Sequence, residues 1–365
     1  NMKMIYFGAD KPGVRLKSSD SDLEKIFNAA VETYRQNTFT LYMDCPSRER
    51  AGWLCDSFFT GRVEKALTGK SEIEHNFLEI FLLPTSFTCI PDGMLPMCYP
   101  ADHYNGTFIP NWAMFYVIEL EEYLGRTGDR ALVDLAKDKI SALMRWFEKY
   151  ENEYSLLEDL DGWVFVEWSK SNELIKNVNF PTNMLYAMML RSVCRLYGDR
   201  SAGEKADKIE KAINELSPIG IFYCDNALRG DDGQLHLSGK ITETCQYYAF
   251  FCGTATPEEN PELWKALLYD FGPQRVPRDK WPNLRPDAKY QNVYPSNAFI
   301  GDYLRLELLF RYGEHEKLIE NIKGYFLDMA RTTGTLWESE SAAGSCNHGF
   351  ASHVIYWLDK MGLTE

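Results

Sequence analysis

Apolar residues recur along this chain with the period of a helix rather than of a strand. Between Arg130 and Tyr150, Leu132, Ala136, Ile140, Leu143 and Phe147 fall three or four residues apart, one apolar stripe on an otherwise polar surface. Leu318, Ile322, Tyr325 and Met329 repeat the pattern nearer the C-terminus. Helix-start signals accompany the stripes. Ser21 with Glu24 and Ser71 with Glu74 have capping-box spacing, and Thr256-Pro257-Glu258-Glu259 puts proline at a first helical position. The pattern predicts about a dozen helices, with starts near residues 22, 54, 72, 111, 130, 181, 201, 241, 257, 297, 315 and 349.

The connections between stripes carry the architecture. Gly69, Gly125, Gly198, Gly253 and Gly313 each close one stripe, and the next opens within a few residues. Each is read as the tight bend of an antiparallel helix pair, recurring at intervals of about 60 residues. Between the pairs lie long loops rich in aromatics and proline, near 38–53, 85–110, 152–180, 218–240, 272–296 and 333–348. Short bends at one end and long loops at the other describe a closed ring of six hairpins, an (α/α)6 barrel. Its sixth pair is the last helix, Gly349 to Met361, beside the first. An open helical-repeat scaffold is the alternative, and it has no need of long loops on one side only. The barrel is expected over 21–365, after an N-terminal extension over 1–20. Loops of this length in a compact domain are usually functional. One small β-hairpin is expected, 221–223 against 235–237 across Asp231-Asp232-Gly233.

Composition narrows the partners. Lys+Arg 39 against Asp+Glu 53 gives a net charge of −14, which argues against nucleic acid or an anionic membrane as the main partner. No apolar run is long enough to span a bilayer. Nine scattered cysteines without a Cys-x-x-Cys pair argue against a disulfide framework or zinc ribbon, and no two histidines stand four apart, so neither metal nor cofactor is expected. The compartment is not legible in the chain. Aromatic residues make up 14%, more than a core of this size needs, and rings exposed in a cleft commonly stack on sugar faces.

Two loops concentrate reactive groups. Asp44-Cys45-Pro46-Ser47-Arg48-Glu49-Arg50-Ala51-Gly52-Trp53-Leu54-Cys55-Asp56 packs three carboxylates, two arginines and a tryptophan into the first long loop and the helix after it. An arginine beside Glu49 can hold a neighbouring carboxylate. Trp53 supplies an apolar wall that would raise a nearby carboxyl's pKa, as a general acid requires. The last long loop carries Thr335-Leu336-Trp337-Glu338-Ser339-Glu340 and then Cys346-Asn347-His348. These loops meet only if the ring closes. Two facing carboxyls suit glycoside hydrolysis, one protonating the leaving oxygen and the other activating water or attacking carbon.

At these residues the chain resembles a known family. Asp44-Cys45-Pro46-x-Arg48-Glu49-Arg50-x-Gly52-Trp53, with Asp56 three residues beyond, resembles the signature of glycoside hydrolase family 78, the α-L-rhamnosidases. Thr335-x-Trp337-Glu338 followed by Asn347-His348 resembles that family's second block. The resemblance implies an (α/α)6 catalytic barrel, a rhamnoside as carbohydrate substrate, and inversion at the anomeric carbon with the two carboxyls roughly 6.5–9.5 Å apart. It places Glu49 as general acid and Glu338 as general base, with Glu340 as the fallback base. Asp44, Arg48, Trp53, Asp56 and His348 match positions that line the sugar pocket. The family's usual accessory β-sandwich domains are absent from this stretch, so a catalytic domain alone is expected. The chain departs from the pattern in having Cys55 where many relatives have Gly, in lacking an extra Asp before Glu49, and in a shorter stretch from Glu338 to His348.

Trp112 and Trp168 sit near where the family places pocket tryptophans, with Trp163 competing for the second place. Glu167 reads as a surface carboxylate, and His103 with Tyr104 as a rim pair without a second histidine. Two other readings stay open: a catalytically weak or altered carbohydrate-binding relative on the same barrel, and an isoprenoid-handling helical barrel. The second needs a metal–diphosphate site, for which Asp231-Asp232 in a turn is a poor basis.

Overall fold

Among the residues that the computed structural model describes (12–100, 105–277 and 280–365), twelve α-helices carry the chain around a closed ring. Six are amphipathic and lie outside: α1 (Ser21–Gln36), α3 (Glu72–Ile80), α5 (Arg130–Phe147), α7 (Arg200–Leu216), α9 (Pro261–Asp270) and α11 (His315–Thr333). In α7 only Ala202, Ala206, Ile209, Ala212 and Ile213 are buried, a stripe at helical spacing. The other six are buried on nearly every side: α2 (Leu54–Thr68), α4 (Pro110–Thr127), α6 (Phe180–Tyr197), α8 (Glu243–Phe251), α10 (Tyr303–Arg311) and α12 (Val354–Lys360). α2 packs on α4, α4 on α6, α6 on α8, α8 on α10, and α12 on α2, while α1 packs on both α11 and α12. The inner ring and its closure by the last helix beside the first are the (α/α)6 toroid expected from the sequence.

Local signals place several ends differently. α4 runs through Gly125 and ends at Gly128, whose φ is 73°. Asp20, not Ser21, caps α1, its carboxylate accepting from the N–H groups of Asp22 and Leu23. The Ser71 hydroxyl does not cap α3; the Glu64 carboxylate, from the preceding helix, accepts from Ile73 N at 3.0 Å and Glu74 N at 2.9 Å. Glu74 turns instead to Arg126. α9 starts at Pro261 rather than near 257, because residues 257–259 form a turn in which the Thr256 hydroxyl accepts from Glu259 N.

Short strands decorate the ring: β1 (Val178–Asn179), β2 (Pro218–Ile219), β3 (Phe222–Tyr223), β4 (Asn226–Arg229), β5 (Leu235–Leu237), β6 (Ile241–Thr242) and β7 (Val293–Tyr294). The expected pairing of 221–223 with 235–237 is not formed: β5 pairs with β4, while β3 pairs back onto β2. Asp231-Asp232-Gly233 is the turn as expected; Asn226–Arg229 supplies the other arm because it can also pair with β1 on its far edge.

Within the ring, Arg62 of α2 is 5% exposed. Its guanidinium donates to Glu122 of α4 at 2.5 and 2.8 Å and to Glu307 of α10 at 3.0 Å. Glu307 also accepts from the Trp357 indole of α12 at 2.8 Å. One cation thus ties four inner helices, with Phe58 and Tyr356 against its faces. Among the described residues, no helix is long and apolar enough to cross a membrane.

Candidate active site

The cavity lies where the inner helices begin. Asp56 is in the first turn of α2, Trp112 in the first turn of α4, and His348 immediately precedes the short 3₁₀ turn Gly349–His353 that leads into α12. Helix N-termini therefore point their free N–H groups toward this rim. The long loops fill in around them and enclose a cavity of about 460 Å³.

The first loop is shaped by its own backbone. Asp44 N donates to Ala51 O at 3.0 Å, and Ala51 N donates to the Asp44 carboxylate at 2.8 Å, closing a loop that holds Arg48 and Glu49 outward. Gly52 follows because a Cβ there would stand 2.5 Å from the Tyr99 carbonyl. The last loop joins it across the whole chain. Gly349 N donates to Asp44 O at 2.6 Å, and the Thr33 hydroxyl accepts from Leu336 N at 2.8 Å. Glu338 is held by a compact return of its loop. Its N–H donates to Ser345 O, and its Oε2 accepts from Ser345 N, both at 2.9 Å.

All nine residues singled out from the sequence line this one cavity: Asp44, Arg48, Glu49, Trp53, Asp56, Trp112, Trp168, Glu338 and His348. Arg48 stands between the two carboxylates of interest, Nε at 3.3 Å from Glu49 and Nη2 at 3.3 Å from Glu338. Two such contacts across the width of one planar guanidinium cap the separation of these carboxylate oxygens at about 9 Å. Burial, and secondarily the Asp44 and Glu338 charges, hold the Glu49 carboxyl above its ordinary pKa, against Arg48 and His348. Deeper in, His348 Nε2 lies 2.9 Å from Asp56, both side chains buried, and His348 Nδ1 lies 3.7 Å from Glu338. Burial pushes Asp56 up to about 6, the hydrogen bond to His348 opposing it. Burial alone would lower the His348 pKa, but Asp56, Glu338 and Asp44 raise it.

The opposite wall is aromatic. Trp168 is 40% exposed, with Phe165 at 4.7 Å and Trp163 at 5.6 Å between ring centroids. Trp112 meets Phe165 at 4.9 Å and Phe299 at 5.8 Å. Trp163 and Trp168 both line the cavity, so neither displaces the other.

Two expectations are corrected. Glu340 does not reach this cavity; it lines a neighbouring one of about 210 Å³ with Asp302 and Ser296. Trp337, beside Glu338, is buried with its indole N–H on the Thr333 hydroxyl. Glu167 is fully buried, not on the surface. His103 and Tyr104 lie outside the described residues. Ile109, Phe165 and Phe299 also line the cavity; nothing in the sequence separated them from core residues.

Fold and site together define a six-hairpin glycosidase domain. The profile of the bacterial α-L-rhamnosidase six-hairpin glycosidase domain matches residues 13–207, more than half of the chain, and the chain belongs to that family. Solved structures agree on the fold. A family 78 rhamnosidase of Bacillus sp. GL1 superposes with a TM-score of 0.80 at 20% identity, covering 97% of this chain and 36% of that one. A rhamnosidase from Klebsiella oxytoca with rhamnose bound gives 0.74 at 19% identity, covering 95% and 65%. An α-L-rhamnosidase from Dictyoglumus thermophilum gives 0.67 at 16%, covering 95% and 38%. The chain thus spans between about a third and two thirds of the length of these proteins. No curated protein matches it.

Proposed function

We propose that this domain hydrolyses terminal α-L-rhamnosyl residues from glycosides with inversion, Glu49 acting as general acid and Glu338 as general base. The observation that carries the reading is Arg48 between the two carboxylates. It keeps the gap within about 9 Å, which leaves room for a water beside the anomeric carbon. The raised pKa of Glu49 keeps a proton available for donation.

In the step, Glu338 takes a proton from water as the water oxygen bonds to the anomeric carbon. The bond from that carbon to the leaving oxygen breaks, and Glu49 supplies the proton that makes the departing group an alcohol. Glu338, accepting from Ser345 N and Arg48, is held as an oriented acceptor. The aromatic wall offers ring faces to the apolar side of the sugar, and the buried Asp56–His348 pair presents polar groups to its hydroxyls.

The test is a panel of 4-nitrophenyl glycosides, with the first-released anomer followed by NMR. The reading expects turnover of the α-L-rhamnoside with β-L-rhamnose appearing first. Turnover confined to another sugar, retention, or rhamnose binding without hydrolysis would overturn it.

A pH prediction follows from the charges around Glu49. Asp44 raises the Glu49 pKa, so Asp44→Asn should lower it and move the alkaline limb of kcat/KM to lower pH. The amide oxygen can still accept from Ala51 N, which preserves the loop. The position of the limb, not its height, is the readout. An unmoved limb would remove Glu49 as the titrating acid.

A further inference from the structure

Glu167 is a buried carboxylate that the proposed reaction does not use. No cationic side chain among the described residues forms an ion pair with it. One oxygen accepts from Asn297 N at 3.0 Å and Gly301 N at 2.6 Å, and the other from the hydroxyls of Ser169 and Thr244. The backbone turn Ala298–Asp302 therefore wraps around a carboxylate. Gly301 makes the wrap feasible, since a Cβ there would collide with the Glu167 carboxylate and stand 2.7 Å from the Ser296 Cβ.

The hub adjoins the cavity through Trp168, Phe299 and Glu338. The turn carries Phe299, whose carbonyl accepts from Trp168 N at 3.2 Å. Asn297 extends the hub by its side chain. Its Nδ2 donates to Trp168 O at 2.6 Å, and its Oδ1 accepts from Glu340 N at 2.9 Å and the Ser339 hydroxyl at 3.2 Å. Ser339 is the residue after Glu338. Trp168, Phe299 and Glu338 come from three separate segments of the chain, and all three are referenced to one carboxylate and one amide.

We propose that Glu167, extended by Asn297, is a positioning residue that sets the Trp168–Phe299 wall in register with the Glu338 loop. Its catalytic consequence rests on the glycosidase reading above; the hub itself does not. With the acceptor gone, two buried backbone N–H groups lose their partner and the turn must move to find another. A shift of about 1 Å in such a wall is enough to cost about 10²-fold in rate.

Three variants test this. Glu167→Ala removes all four acceptor contacts. Glu167→Gln keeps an oxygen for the two backbone N–H groups, and its NH₂ can donate to hydroxyls that rotate to accept. Asn297→Ala leaves the four Glu167 contacts in place, cuts the links to Trp168 and to residues 339–340 together with the cap on Ala298 N, and serves if Glu167→Ala does not fold. On an aryl α-L-rhamnoside, Glu167→Ala and Asn297→Ala should each lose about 10²-fold in kcat with a smaller rise in KM. Glu167→Gln should stay within about threefold of the parent. A folded Glu167→Ala or Asn297→Ala with parental kcat, or a Gln variant as impaired as Ala, overturns the proposal. A second readout separates it from the glycosidase reading. In protein labelled with 5-fluorotryptophan, the ¹⁹F resonance of Trp168, assigned with Trp168→Phe, should shift in Glu167→Ala and Asn297→Ala and return in Glu167→Gln. That result would sustain the hub even if no rhamnoside were hydrolysed, and an unmoved resonance in Asn297→Ala would sink it whatever the activity.

Discussion

Replacing Glu49 by Gln is expected to lower kcat on an alkyl α-L-rhamnoside by about 10²–10⁴-fold, the contribution typical of a positioned proton donor. Glutamine is nearly isosteric, and Glu49 is partly exposed on a loop held by the Asp44–Ala51 hydrogen bonds. The loop should keep its shape, and KM should change little. The loss has a signature that a general disturbance lacks. A 4-nitrophenolate can leave without a proton, whereas an alkoxide cannot, so the nitrophenyl substrate should suffer far less than the methyl glycoside. Rates on both substrates, with parent and variant side by side, check this. Equal losses on the two would remove Glu49 from the acid role.

The largest expected effect on stability comes from the other end of the ring. Arg62→Met should cost about 3–5 kcal/mol, because it takes from the part-buried Glu122 and Glu307 the buried cation that they share. Arg62 and Arg126 together hold Glu122 down at about 2, despite a burial that by itself would raise it. The sign of the pH dependence follows. A carboxyl depressed in the folded state contributes stability that is present above its unfolded pKa, near 4.3, and is lost as pH falls toward about 2. Without Arg62, that contribution shrinks. The deficit of the variant should therefore be greatest at neutral pH and should narrow below about pH 4. Urea titrations at pH 7 and pH 3 measure it. A deficit under about 1 kcal/mol at pH 7 would mean that Glu122 and Glu307 find other partners or water.

The ring was legible because its two kinds of helix leave different traces. Outer helices such as α5 and α7 keep a polar face, so their stripes stand out at helical spacing. Inner helices such as α2 and α8 are buried all round and carry no such stripe. Their existence was read from glycine bends and loop lengths, which is why one bend was placed at Gly125 rather than Gly128. The start of α9 was misplaced for a related reason: a proline after a threonine is equally at home in a turn.

At the site, residues sharing a short segment with charged or aromatic neighbours could be picked out: Asp44 to Asp56, and Glu338 with His348. Glu167 could not. Its partners are two backbone N–H groups in the turn after Asn297 and two hydroxyls, 2 to 134 residues away. A carboxylate satisfied by neutral donors looks in sequence like any solvated one. Glu340 misled in the opposite way. It shares a loop with Glu338, but the chain bends over 338–340 where Asn297 holds the backbone, so the two side chains enter different cavities.

Arg48 and Glu338 are 290 residues apart, and they meet only because the last inner helix docks against the first outer one. During synthesis, then, the cavity has no local precursor. No single hairpin carries it, and the hollow stays missing one side until residues 336–360 have joined the ring.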